Sequence, residues 1–203
     1  MKLRRKEKNK EADLEKEQIK EEARKNNEQK AVKDTYDWVQ SLTTALMFCV
    51  ILFVFFIRLV YVNGNSMLPN LKNNDLMLVS RFLYTPEQGD VVVFKKDAYD
   101  ANKALVKRVI ATEGQVININ FETGAVFVDG VELKEDYIRD LTYNKLDFIG
   151  PQTVPEGCVF VMGDNRNEST DSRNILIGMV DSRLIIGKVL YVIYPLDEFH
   201  KVQ

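Results

Sequence analysis

The amino-acid sequence predicts a mainly β domain carried behind one transmembrane helix and a charged N-terminal tail, and three observations lead there. Residues 1–40 are dense in Lys, Arg, Glu and Asp with almost no large apolar side chain, 41–62 is almost wholly apolar, and 63–203 breaks into short Val-, Ile- and Phe-rich runs separated by turn residues. At 203 residues the chain has room for one globular domain plus an appendage. The formal net charge of -2 averages over these unlike segments and says little alone.

The tail, 1–40, mixes charges of both signs, and spacings such as Glu21 and Lys25 can support a solvated helix by pairing across one turn. It lacks the apolar area that would offset the entropy of ordering, so it is expected to be helical or disordered and to bury no core.

The apolar segment Leu42 to Val62, LTTALMFCVILFVFFIRLVYV, carries one charge, Arg58, near its far end. Its length matches the roughly 20 residues that cross a bilayer core as a helix. Arg58 can lay its stem along lipid and place the guanidinium at the interface, while Trp38 and Tyr61 stand where interfacial aromatics are expected. A cleaved signal peptide would need a short basic leader, unlike this long charged one. Lys25, Lys30 and Lys33 precede the span and VNGNSM follows it, so the positive-inside bias puts the N-terminus in the cytoplasm and 63–203 outside.

In that external part the runs LMLVS, DVVVF, ALVKRVIA, QVININ, AVFV, CVFVM and KVLYVIY read as strands, and no long helical period appears. Asp129-Gly130, between AVFV and VEL, signals a two-residue hairpin, because both residues tolerate positive φ.

The chemistry available is limited by what is scarce. The two cysteines, Cys49 and Cys158, imply no disulfide framework, and with His200 as the single histidine the chain lacks the soft ligands of a zinc site, so no metal or cofactor is expected. A Ser-His-Asp triad is a poor fit to a histidine so near the C-terminus. A hydrolase of this composition must draw its base from a carboxylate or from a lysine with a lowered pKa. Ser66, in NGNSMLPNL, follows the apolar segment between Gly64 and Pro69; taken alone it is also an ordinary turn serine. In ALVKRVIA the period of two puts Leu105, Lys107 and Val109 on one face, so apolar neighbours favour a neutral Lys107, although a charged residue guarding an edge strand fits equally. Arg108 faces the other way and cannot serve as a base. The loop MGDNRNESTDSRN, Met162 to Asn174, fails as a calcium loop at Arg166, Ser169 and Ile175. It reads better as a polar network, with Asp164 and Arg173 available as an ion pair and Ser169 free to hydrogen-bond a neighbour.

Taken in order, NSMLPNL, GDVVVF, VKRVIATEGQ and GDNRNESTDSR resemble the four boxes of the type I signal peptidases, behind a single N-terminal span, over about Leu42 to Val192. The resemblance implies an antiparallel β catalytic domain with an apolar surface resting on the plasma membrane, and a serine endopeptidase that removes signal peptides from exported preproteins after small residues. It implies Ser66 as nucleophile, Lys107 as general base, Ser169 as the hydroxyl orienting the lysine, Asp164, Asp171, Arg173 and Arg108 as the supporting network, and Met67 beside the nucleophile at the substrate cleft. Gly64 stands where some members carry a serine completing the oxyanion hole, Asn70 replaces the usual threonine, and Ala111-Thr112-Glu113 replaces a Gly-Leu-Pro-like run. The expected partners are preproteins and the lipid bilayer, with no nucleic acid. A self-cleaving Ser-Lys repressor-type peptidase and a membrane-tethered β domain that only binds are the rival readings; the first would carry a DNA-binding helical domain in place of the span.

Overall fold

The computed structural model describes the backbone over 2–100 and 103–202, and the side chains of 20–21, 24–51, 56–100 and 103–202. The chain divides into two compact units, Met1–Leu52 and Phe53–Gln203.

The first unit is helix. Helix α1 (Lys2–Phe56) includes the charged tail, and the anticipated pair forms, with Lys25 Nζ 3.2 Å from Glu21. Farther along, Trp38, Leu46, Met47 and Phe48 are each about two-thirds exposed. Among the described residues no helix is long and apolar enough to cross a membrane. The expected span over 41–62 falls in part on 52–55, whose side chains lie outside the described residues.

The C-terminal end of that span is corrected. Ile57–Tyr61 is not helix but strand β1, antiparallel to β2 (Leu76–Ser80) from Ile57 opposite Ser80 to Tyr61 opposite Leu76. Pairing to a neighbour satisfies the backbone as well as a further helical turn does, and Ile57, Val60 and Tyr61 suit a pleated strand. Arg58 is therefore an exposed residue on an edge strand.

The remaining strands are β3 (Val91–Lys95), β4 (Ala104–Thr112), β5 (Val116–Asn120), β6 (Ala125–Val128), β7 (Val131–Glu132), β8 (Gln152–Thr153), β9 (Cys158–Met162), β10 (Val180–Asp181), β11 (Ile185–Tyr194) and β12 (His200–Lys201). A short helix, α2 (Asp97–Asp100), precedes β4. The larger sheet runs β1-β2-β11-β3-β4-β9-β10, with β12 also on β11, and the smaller runs β7-β6-β5-β8; every pairing is antiparallel. The seven apolar runs read as strands are all strands, and Asp129 (φ 53°) with Gly130 (φ 78°) forms the anticipated hairpin between β6 and β7.

Apolar packing fixes the parts that matter for the site. Val62, Met67, Leu71, Met77 and Val79 share one buried cluster with Val91, Val93 and Val189, which pins the segment after β1 onto the larger sheet. Val92, Phe94, Val109, Val161 and Ile177 form another cluster, which leaves β3 and β4 buried on both sides.

Candidate active site

Ser66 is presented by a tight turn whose geometry is local. Gly64 adopts φ 100°, which favours glycine, and its N–H donates to Asn73 Oδ1 at 2.8 Å; the N–H of Leu68 closes on the carbonyl of Asn65, and that of Leu71 on the carbonyl of Met67. The side chains of Met67 and Leu71 anchor this turn from beneath, both essentially fully buried. Met67 is thus a core residue and not a wall of the substrate cleft, because the turn directs it inward while Ser66, half-buried, faces out.

Lys107 comes from the middle of β4, opposite Val92 of β3, and is only 3 % exposed. Its Nζ lies 2.7 Å from Ser66 Oγ and 2.9 Å from the carbonyl oxygen of Val106. Burial lowers the amine to about 8; the carboxylates of Asp171 and Asp164 oppose that shift and Arg173 assists it. The two side chains singled out by sequence, from segments far apart in the chain, are in hydrogen-bond contact.

The loop after β9 clamps the serine turn. The Asn165 N–H donates to the Ser66 carbonyl at 3.0 Å, and Asn165 Nδ2 donates to the carbonyl of Asn65 at 3.1 Å. Close approach depends on Gly163, where a Cβ would overlap both the Ser66 carbonyl oxygen and Ser169 Oγ. Gly163→Ala is therefore expected to destabilise the domain by about 1 to 3 kcal/mol and to displace Ser66, read as a lowered melting temperature with reduced turnover; an alanine variant with the wild-type values would refute the close contact.

The charges pair differently from the sequence expectation. Asp164 does not bind Arg173: it takes a bidentate contact from Arg108, whose Nε and Nη2 lie 2.8 and 2.7 Å from its oxygens. Arg173 instead grips Asp171, at 2.9 and 2.8 Å, and donates to the carbonyls of Arg166 and Asn144. The alternation along β4 explains the swap, since turning Lys107 toward Ser66 turns Arg108 toward the loop. Burial alone would raise Asp171, but its bonds from Arg173 and the N–H of Gly163 hold it below the usual carboxylate range. Ser169 Oγ is buried near that carboxylate, without the alignment of a hydrogen bond to it or to Lys107. A third pair, Arg166 on Glu135 at 2.9 Å, and Tyr137, whose ring lies 4.1 Å from the Arg108 guanidinium, were not anticipated from sequence.

A cleft of about 780 Å³ opens over the dyad, walled by Val60 and Tyr61 of β1, Ala104 and Leu105 of β4, and Gly64 and Ser66. Its floor is the Ser66–Lys107 contact. The arrangement offers a hydroxyl beside a buried amine with no histidine near, which is the equipment for acyl transfer by a serine and a neutral lysine.

Comparison with known proteins decides the affiliation. The family model described as signal peptidase, peptidase S26 matches residues 35–194. The chain belongs to that family. Among its relatives, a probable signal peptidase I-1 of Synechocystis sp. is 37% identical over 163 residues, covering 76% of this chain and 80% of that protein. A signal peptidase I of Bacillus licheniformis is 32% identical over 177 residues, 82% of this chain and 92% of that protein. The crystal structure of a signal peptidase I from Enterococcus faecalis aligns with a TM-score of 0.42 at 28% identity, over 52% of this chain and 97% of that one. As a member of the S26 signal peptidases, the chain is a serine endopeptidase.

Proposed function

We propose that this peptidase removes signal peptides from exported preproteins at a membrane surface, with Ser66 as nucleophile and neutral Lys107 as general base. The observation that carries the reading is the 2.7 Å contact between the buried Lys107 amine and the Ser66 hydroxyl, both lining the cleft. The relatives named as signal peptidases I support the substrate class.

In this mechanism Lys107 Nζ takes the proton of Ser66 Oγ as the oxygen attacks the scissile carbonyl carbon. The resulting oxyanion is met by the backbone N–H of Ser66, which has no hydrogen-bond partner among the described residues; the N–H of Gly64 is already committed to Asn73. Lys107 then gives its proton to the departing amine as the carbon–nitrogen bond breaks and the Ser66 ester forms. In the second half Lys107 takes a proton from water, whose oxygen attacks the ester, and Ser66 regains its proton as the signal peptide leaves.

The substrate chain lies extended between β1 and the start of β4. The outer edge of β1 carries no strand among the described residues, so it can offer main-chain hydrogen bonds to a cleavage region with the small-residue, Ala-x-Ala ending of signal peptides. Membrane attachment through the apolar end of α1 is supported by the exposed side chains of Leu42, Leu46, Met47 and Phe48, and a cytoplasmic N-terminus by Lys25, Lys30 and Lys33 ahead of that stretch. Attachment is supported further by Phe82 and Leu83, 59% and 88% exposed, with the Phe82 ring 4.8 Å from that of Phe56.

The test is incubation of the detergent-solubilised full chain with a preprotein, reading the new N-terminus by mass spectrometry across pH. One cut after a small residue is expected. Because Lys107 must be neutral to accept a proton, kcat/KM should fall about tenfold per pH unit below about pH 8. No cut, cuts at unrelated sites, or a rate flat from pH 6 to about pH 9 would sink the reading.

A further inference from the structure

We propose that Asn70 is a positioning residue for this reaction: its side-chain amide ties the turn that carries Ser66 to the carboxylate that holds Arg108, and so sets the separation of Ser66 and Lys107. The inference rests on the Ser66/Lys107 reading above and concerns a position where this chain departs from the threonine expected by resemblance.

Asn70 Nδ2 donates to Asp164 Oδ2 at 2.7 Å and to the carbonyl oxygen of Tyr137 at 2.6 Å. Asp164, fully buried, also receives both donors of Arg108. Arg108 is the residue next to Lys107 on β4, and Asn70 lies in the turn closed by the bond from Leu71 to Met67, which overlaps the Asn65–Leu68 turn that holds Ser66. A single carboxylate is therefore held from one side by the nucleophile's turn and from the other by the strand of the base. Asp164 is itself fixed by its neighbours: its carbonyl accepts from the N–H of Arg139, and Asn165 binds the Ser66 carbonyl. The Tyr137 carbonyl is held in the same grip, and the Tyr137 ring lies over the Arg108 guanidinium.

The chemistry of the side chain matters. A carboxamide has two N–H donors and can serve the carboxylate and the carbonyl together, whereas a hydroxyl has one and must leave one acceptor without it. A carboxylate at the same place would oppose Asp164 directly. Threonine and valine share one shape and differ from each other chiefly in the hydroxyl. That pair isolates the hydrogen bond from packing.

The experiment uses the full chain in detergent with a preprotein-derived peptide, measuring kcat, KM, the pH profile and the melting temperature. Asn70→Thr should retain part of kcat, Asn70→Val should lose roughly ten- to a hundredfold, and Asn70→Asp should lose more than either, with KM little changed. Loosening the turn admits water to the amine, so the acid limb of the valine variant should move to higher pH. Asp171, Asp164 and Arg173, the other charges that act on Lys107, are unaltered in these variants. Threonine and valine variants that share the wild-type kcat and acid limb would overturn the proposal, as would a loss confined to KM or to melting temperature. Should the valine variant not fold, Asn70→Thr against wild type carries the test, an unchanged kcat and acid limb again being the overturning result. Cleavage that survives Lys107→Ala defeats the dyad reading itself; a dead Lys107→Ala beside a fully active Asn70→Val defeats only the role given to Asn70.

Discussion

Lys107→Met is expected to abolish cleavage and, at neutral pH, to leave a more stable protein. The loss of rate follows from the mechanism: without the amine, Ser66 has no group to take its proton, and removing a general base costs about 10²- to 10⁴-fold, more where the base and nucleophile act as a unit. Ser66→Ala should be equally inactive, and the double variant no worse than either single one, because each already lacks the whole step. The gain in stability follows from burial. Lys107 sits at 3 % exposure with its pKa lowered from 10.5 to about 8, so between those values the unfolded chain binds a proton that the folded chain does not. Stability of the native protein therefore rises as pH climbs from about 8 to 10.5, and below about 8 the full cost of a buried ammonium is present, about 3 kcal/mol. Methionine fills nearly the same volume without that cost. Unfolding by denaturant at pH 7 should show the variant ahead by roughly that amount, shrinking toward pH 10.5. Equal stability at pH 7, or a variant that still cuts, would contradict the assignment.

How far the sequence foretold this depends on how local each signal is. Strand positions were legible because apolar runs bounded by turn residues specify a strand without help from elsewhere, and the Asp129-Gly130 turn needed only positive φ at two adjacent residues. β1 was hidden because its residues continue an apolar run begun in α1: Ile57 to Tyr61 suit a lipid-facing helix and a strand alike, and only pairing with β2 decides between them. Arg58 was the one local sign that the run had changed character. At the site, Ser66 and Lys107 could be named from their surroundings and from the resemblance, and they do meet. The partners of the charges could not be named. Asp164 and Arg173 share a loop, which made their pairing plausible, but the guanidinium that reaches Asp164 belongs to β4, and nothing in the spacing of the loop records that. Asn70, Glu135, Tyr137 and Gly163 act only through tertiary contact, so composition and periodicity gave no sign of them, although the departure at Asn70 marked a place to look.

The same pairing yields the second large effect, on stability. Arg108 and Asp164 are each about 1 % exposed at their side chains, and the Arg108 guanidinium donates to both carboxylate oxygens of Asp164. Two charges taken so far out of water are tolerable only together, and removing one strands the other. Arg108→Met should therefore cost about 3 to 5 kcal/mol, although the methionine itself is apolar and well suited to a core. Neutralising the survivor should restore part of the loss: Arg108→Met with Asp164→Asn keeps a side chain able to accept from Asn70 while carrying no charge. The cycle built from the two single variants and the double should give a coupling of at least about 1.5 kcal/mol. Activity should not recover with stability, because the carboxylate that joins the turn of Ser66 to the strand of Lys107 is gone in the double variant. Additive single effects would show that the pair contributes nothing beyond packing. Recovery of both stability and turnover together would show that Asp164 matters for charge balance alone, and not for where Ser66 and Lys107 stand.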